Sequence, residues 1–145
     1  MTTTTRTSPR RRHRTLARST VLTALCAFAL GAAADDCDTA RGELMFGLCQ
    51  SCHQADRAEH DRSGPHLVGL FGRPAGSAEG FRYSPAMADA DVTWTAETLD
   101  AFLASPRQFM PGTTMMMAPM RNDADRAALI CWLRDVAGTA EENDQ

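Results

Sequence analysis

Cys49-Gln50-Ser51-Cys52-His53 sets two thiols three positions apart, one helical turn, with an imidazole directly after the second. Several chemistries use such a set, and the rest of the chain separates them. Zinc needs a fourth ligand beside Cys49, Cys52 and His53; His60, His66 and Cys131 can be nominated, but there is no second clustered pair. A thioredoxin-like dithiol opens a helix that follows a buried strand, and no strand pattern precedes Cys49. A plain disulfide between Cys49 and Cys52 leaves His53 without a task. The remaining reading uses every residue: the thiols add to the two vinyl groups of a porphyrin, and the imidazole lies against its iron. This is the C-x-x-C-H attachment motif of a c-type haem.

With His53 as one axial ligand, the opposite face is closed by a second ligand, by water or by nothing, and that choice separates a carrier from an enzyme. A thioether is a soft donor that favours ferrous iron. The stretch Met110-Pro111-Gly112-Thr113-Thr114-Met115-Met116-Met117-Ala118-Pro119-Met120 holds five Met in eleven residues. A methionine cluster is ordinarily core filler, but this one sits in a Pro/Gly loop rather than on a helical stripe. Spacing alone leaves Met115, Met116, Met117 and Met120 open as donors.

The chain has 145 residues, 15 Arg, no Lys and 18 acidic residues, for a net charge of −3. The total hides a split. Residues 1–34 carry six Arg and no acid, whereas 35–145 carry nine Arg against all 18 acids, a balance of −9. The sign of that balance excludes nucleic acid as a partner of the folded part. The first segment has the form of an export signal: a basic stretch to Arg18, an apolar run from Val21 to Ala33, and small residues at Ala32-Ala33-Ala34 where cleavage is expected. The run is shorter than the roughly 20 residues of a membrane span, which disfavours an uncleaved anchor. Cleavage removes Cys26 and leaves a domain over 35–145, with a core of about 39–138, in a compartment that permits disulfides.

Two-residue alternation is nearly absent, and three stretches show helical spacing, so the domain reads as all-α. The first runs from about Thr39 to Leu48, with Leu44 and Phe46 bulky and Gly42 a point of close approach. The second starts after Thr95 as N-cap, sets Leu99, Phe102 and Leu103 at i, i+3, i+4, and stops at Pro106. The third is capped by Asn122, has Asp123 and Asp125 at its positive end, carries a stripe of Leu129, Trp132, Leu133 and Val136, and ends at Gly138. The Gly/Pro-rich connection from Gly64 to Pro85 is long enough to wrap something. The polar tail from Thr139 to Gln145 is expected to fray.

From about Gly42 to Gly138 the chain resembles a class I cytochrome c, of the mitochondrial and bacterial cytochrome c2 type. The resemblance rests on Gly42 and Phe46 ahead of Cys49-x-x-Cys52-His53, on Gly64-Pro65-His66-Leu67-Val68-Gly69-Leu70-Phe71-Gly72-Arg73, on Gly80-Phe81-Arg82-Tyr83-Ser84-Pro85-Ala86-Met87 leading to Trp94, and on Pro111-Gly112-Thr113-Thr114-Met115. It implies short helices wrapped around one covalent haem, with the N- and C-terminal helices crossing so that Gly42 and Phe46 pack on Leu129 and Trp132. It implies His53 and Met115 as axial ligands, Cys49 and Cys52 as thioether anchors, and the Pro65 carbonyl as acceptor of the His53 ring N–H. It places Arg73, Tyr83, Trp94 and Thr113 around the haem propionates. By the same resemblance Phe102 stands where the mitochondrial pattern has a Tyr near the ligand sulfur, Met117 replaces a Phe, and Met87 replaces an Asn. The alkaline swap of Met for Lys known in the family has no Lys to use here. Cys37 and Cys131 are brought near one another by the crossing helices, which leaves a disulfide open as the alternative to two free or buried thiols.

The expected activity is one-electron carriage, without substrate chemistry, by a monomeric periplasmic protein with no stable membrane insertion once the signal is cleaved. It would run between a membrane quinol oxidoreductase or cytochrome complex and an oxidase, reductase or other terminal acceptor. Arg57, Arg62, Arg107 and Arg121 fall at basic positions of the family's docking ring, whereas Leu48 and Thr114 do not. Docking through the haem edge is therefore expected to be weak and salt-sensitive. The competing classes are an electron-accepting subunit of a periplasmic dehydrogenase and a small peroxidase or sensor with a labile sixth ligand.

Overall fold

In a computed structural model of the protein, residues 1–3, 37–56 and 62–139 are described. The chain divides into units Met1–Ala33 and Ala34–Gln145. The segment expected to be an export signal, apart from residues 1–3, together with Arg57, His60 and the tail 140–145, lies outside the described residues. Among the described residues five helices form: α1 Thr39–Phe46, α2 Pro85–Ala88, α3 Ala96–Ala104, α4 Pro106–Phe109 and α5 Asp123–Ala137. Among the described residues extended pairing is confined to two isolated bridges, Phe71 with Thr139 and Pro74 with Thr93, as the all-α reading expects. The Phe71 bridge corrects the expectation of a tail frayed from Thr139 onward. Among the described residues no helix is long and apolar enough to cross a membrane.

Each longer helix starts on a side-chain cap. Asp38 accepts the Arg41 N–H at 2.9 Å, and Asn122 accepts that of Asp125 at 3.1 Å. Thr95 and Thr98 bond reciprocally, at 3.2 Å from Thr98 N to Thr95 Oγ1 and 2.8 Å from Thr95 N to Thr98 Oγ1. Each such cap satisfies end N–H groups and is worth about 1 kcal/mol. Pro106 does close α3, but it also opens α4, because a helix tolerates proline in its first turn where the missing N–H has no partner to lose. Ser84 and Pro85 start α2 in the same way.

The crossing of α1 and α5 shapes the domain. A Cβ on Gly42 would run into the Ala128 carbonyl oxygen and the Trp132 Cβ, so the absence of a side chain is what lets the helices meet. Phe46 stacks against Trp132 with ring centroids 4.7 Å apart. Gly42 thus faces Ala128 and Trp132 rather than Leu129. The α5 stripe also differs from the spacing. Leu129 and Leu133 are buried, together with Ile130 and Ala137, while Val136 is 36% exposed, and on α1 Leu44 is 73% exposed. Cys37 and Cys131 are joined by a disulfide, Cα atoms 5.9 Å apart across 94 residues. The pairing settles for the bond over two thiols, and it removes Cys131 from any zinc set.

Arg126, buried on α5, ties three elements together. Its guanidinium donates to Asp100 on α3 at 2.7 Å, to Asp123 at 2.9 Å and to the Met120 carbonyl at 2.7 Å. The Met120 N–H donates to the Leu103 carbonyl at 2.9 Å. The far end of the methionine stretch is therefore fastened to both α3 and α5.

Candidate functional site

Beyond Phe46 the backbone continues in tight turns: Cys49 N–H donates to the Phe46 carbonyl at 2.7 Å, and Cys52 and His53 donate to that of Cys49 at 3.0 and 2.9 Å. This keeps both thiols and the imidazole on one turn. The two thiols are free and unequal, Cys49 half-buried and Cys52 exposed. Burial, then the neighbouring Cys52, pushes the Cys49 thiol above its ordinary pKa. Hydrogen bonds from Ser63 and Ser51, helped slightly by Arg62, hold that of Cys52 below it.

His53 Nδ1 lies 2.7 Å from the Pro65 carbonyl oxygen. A carbonyl can only accept, so Nδ1 carries the proton and Nε2 presents a lone pair. Burial pushes the imidazole pKa below its ordinary value, and the bond to Pro65 opposes this in part. The outcome is a neutral, oriented imidazole at neutral pH. Gly64 makes the arrangement possible. A Cβ there would come within 2.6 Å of His53 Cε1 and 2.8 Å of the Cys52 carbonyl oxygen, so the strand of chain that delivers Pro65 can pass only as glycine. Sequence reasoning named Pro65 and missed Gly64 as a determinant; a glycine directly before the proline was the available signal.

Cys49, Cys52, His53 and Met115 line one cavity of about 320 Å³, with an apolar wall that includes Phe46, Leu70, Leu99, Phe102 and Leu133. Arg73, Tyr83, Trp94, Thr113 and Pro65 line it too, so the site residues that the resemblance implies are brought to this one place; of the other methionines left open as donors, Met116 and Met117 line it and Met120 does not. Arg73 donates to the carbonyls of Val68 at 2.6 Å and His66 at 3.1 Å. Burial lowers its pKa, partly offset by Tyr83, and burial raises that of Tyr83. Trp94 is pinned to this loop by its own N–H to the Arg73 carbonyl at 3.0 Å and its carbonyl to Gly72 N–H at 2.9 Å. Thr113 Oγ1 accepts the Met115 N–H at 3.3 Å. Among the described residues no three His, Cys, Asp or Glu gather as a metal site would need, and of the nominated fourth ligands Cys131 is disulfide-bonded while His60 lies outside the described residues.

The donor set fits a haem. An apolar cavity suits a flat macrocycle, a neutral imidazole and a thioether suit its iron, free thiols on one turn suit its vinyl groups, and a half-buried cation beside a phenol suits its carboxylates.

The sequence matches the family model described as cytochrome c over residues 39–137. It is 44% identical over 98 residues to cytochrome c of Chlamydomonas reinhardtii, covering 67% of this chain and 88% of that one. To cytochrome c2 iso-2 of Magnetospirillum fulvum it is 38% identical over 91 residues, 63% of this chain and 94% of that one. To cytochrome c2 of Rhodomicrobium vannielii it is 38% identical over 96 residues, 66% and 77% of the two chains.

Proposed function

We propose, from the premise that this chain belongs to the cytochrome c family, that it is an exported, periplasmic one-electron carrier with His53 and Met115 as axial ligands. The chain is a haem-based electron carrier rather than an enzyme, with a covalent c-type haem, and it works with redox partners. The observation that carries the finer reading is the His53–Pro65 hydrogen bond of 2.7 Å in a cavity that Met115 also lines.

The haem, when bound, supplies a one-electron couple. The chain's residues do the rest. Cys49 and Cys52 hold the group to the turn after α1, while Pro65 keeps the His53 ring oriented and its Nε2 basic. Met115 supplies a soft donor, and the apolar wall around Leu99, Phe102 and Leu133 keeps water out, so little rearranges when the charge changes. Arg73, with Tyr83, Trp94 and Thr113, offsets the burial of carboxylates. The Cys37–Cys131 bond supports a compartment that permits disulfides, in line with cleavage of the segment 1–34 and a mature domain over 35–145. Its partners would be a membrane quinol oxidoreductase on one side and an oxidase, reductase or other terminal acceptor on the other. Arg62 and Arg107 supply positive charge for docking, and raising ionic strength is expected to slow transfer; rates flat against salt would count against that docking mode.

The ferric protein is expected to show the weak near-red absorption band of methionine sulfur on iron. In the ferrous protein the strongly ring-current-shifted methyl resonance of the ligand should be that of Met115. A high-spin ferric spectrum without the band, or a shifted methyl belonging to another residue, would remove this ligand assignment. A second expectation concerns Gly64→Ala. It displaces the His53 ring or the Pro65 carbonyl, at a cost of about 1–3 kcal/mol of stability. The imidazole also becomes a weaker donor, which disfavours the ferric state, so the reduction potential should move positive. Potentiometry showing no change would mean that the Pro65 bond survives.

A further inference from the structure

We propose that Met117 is a reserve sixth ligand: a second thioether held beside the first, able to take its place on the iron. This rests on the His53/Met115 reading of the site.

Residues 113–120 run without helix or turn, and their exposure alternates from Thr113 to Met117. Met115 and Met117 are half-buried and packed against the core, while Met116 between them is 87% exposed. The Met116 sulfur lies 3.8 Å from Arg107 Nη2, on the outside. Met115 and Met117 both line the cavity that holds His53; Met116 borders it as well, but with most of its side chain exposed. Two half-buried thioether donors therefore stand two residues apart against one cavity.

The segment is also built to let them trade. It is fastened at its ends, by Thr113 N–H to the Met110 carbonyl at 3.1 Å and Met120 N–H to that of Leu103 at 2.9 Å. Among the described residues no backbone hydrogen bond from the N–H of 116, 117 or 118 holds the stretch between. Met117 also lines a second cleft of about 350 Å³, with Ser105, Pro106, Arg107 and Pro119, which gives its side chain room. Methionine has three rotatable bonds and no branch to block the swing. Met87 lines the cavity as well, but it is fixed on α2, where its N–H is capped by Ser84 Oγ at 3.3 Å.

The exchange moves one sulfur lone pair off the iron and another on. No proton and no electron is transferred, so the balance closes without a co-reactant. Because the two donors are chemically the same, the swap preserves soft ligation.

The test compares the matured, exported holoprotein as Met115→Ala and as Met115→Ala/Met117→Leu. Met115→Ala should stay low-spin with a near-red band, and the double variant should lose both. Added imidazole should bind the single variant about ten-fold more weakly than the double, because an internal ligand present nine-tenths of the time leaves that fraction less of the site free. Should Met115→Ala not mature, Met115→Leu, which keeps the volume, takes its place with the same readouts. A Met115 variant that is already high-spin, with the imidazole affinity of the double variant, overturns the proposal. A band that survives in the double variant overturns it too, since the donor is then not Met117. Neither result touches the His53/Met115 assignment, which falls only if the wild-type protein itself lacks the band.

Discussion

Gly42→Ala is expected to destabilise the protein by about 2 kcal/mol even though alanine is the better helix former. The substitution gains about 1 kcal/mol of helix propensity in α1, so the sign depends on what the new methyl meets. It meets the Ala128 carbonyl oxygen and the Trp132 Cβ. Neither is the free end of a flexible side chain. The Ala128 carbonyl belongs to the backbone of α5, and Trp132 is held by its stacking on Phe46. The helices must therefore move apart as bodies, which opens the layer around Leu129 and Leu133 and forfeits contacts in addition to the overlap. For a domain of this size the thermal midpoint should fall by about 10 °C, followed by circular dichroism, with Gly42→Val lower still. A midpoint that rises would mean propensity wins, and that α1 and α5 do not cross at Gly42.

That crossing also shows how far the sequence could be read. Gly42 and Phe46 were legible as a close-approach site because a glycine inside a helical period has few other uses. The attachment turn was legible because covalent chemistry admits little variation in Cys49, Cys52 and His53. The caps Thr95 and Asn122 were legible because their side chains act locally, on N–H groups three residues on. What was not legible depends on distant chain. Pro106 looked like a stop because nothing local says whether a proline closes one helix or opens the next, and here it does both. Val136 has the spacing of the buried stripe, but lies near the end of α5, and burial passes instead to Ile130 and Ala137. Within the methionine stretch, composition alone could not say which sulfurs pack inward; that came with the half-burial of Met115 and Met117 and the exposure of Met116. Arg126 gave no signal at all, since an arginine among Asp residues on a helix ordinarily marks a solvated face.

Opening the Cys37–Cys131 bond should cost about 4–5 kcal/mol, more than any other single interaction described for the domain. The size follows from the loop. The bond closes 94 residues, and in the chain-entropy account a loop of that length removes much of the freedom of the unfolded chain. The thioethers at Cys49 and Cys52 span only three positions and shorten that loop very little. By comparison the Arg41–Asp125 pair, which joins the same two helices at 2.6 Å, has side chains 42% and 24% exposed and is worth about 0–1 kcal/mol. Cys37→Ser/Cys131→Ser should accordingly lower the guanidinium midpoint, with a larger slope because the unfolded chain is free to expand. The folded spectrum should not change, because neither cysteine lines the cavity around His53. Reductant should reproduce the effect in the wild-type protein and add two hydrogens to its intact mass. A midpoint shift worth less than about 1 kcal/mol, with no change in mass, would mean that the ends are held only by the packing of α1 on α5. Disulfides form and persist in oxidising compartments, so stability measured with and without reductant also bears on the compartment in which the carrier works.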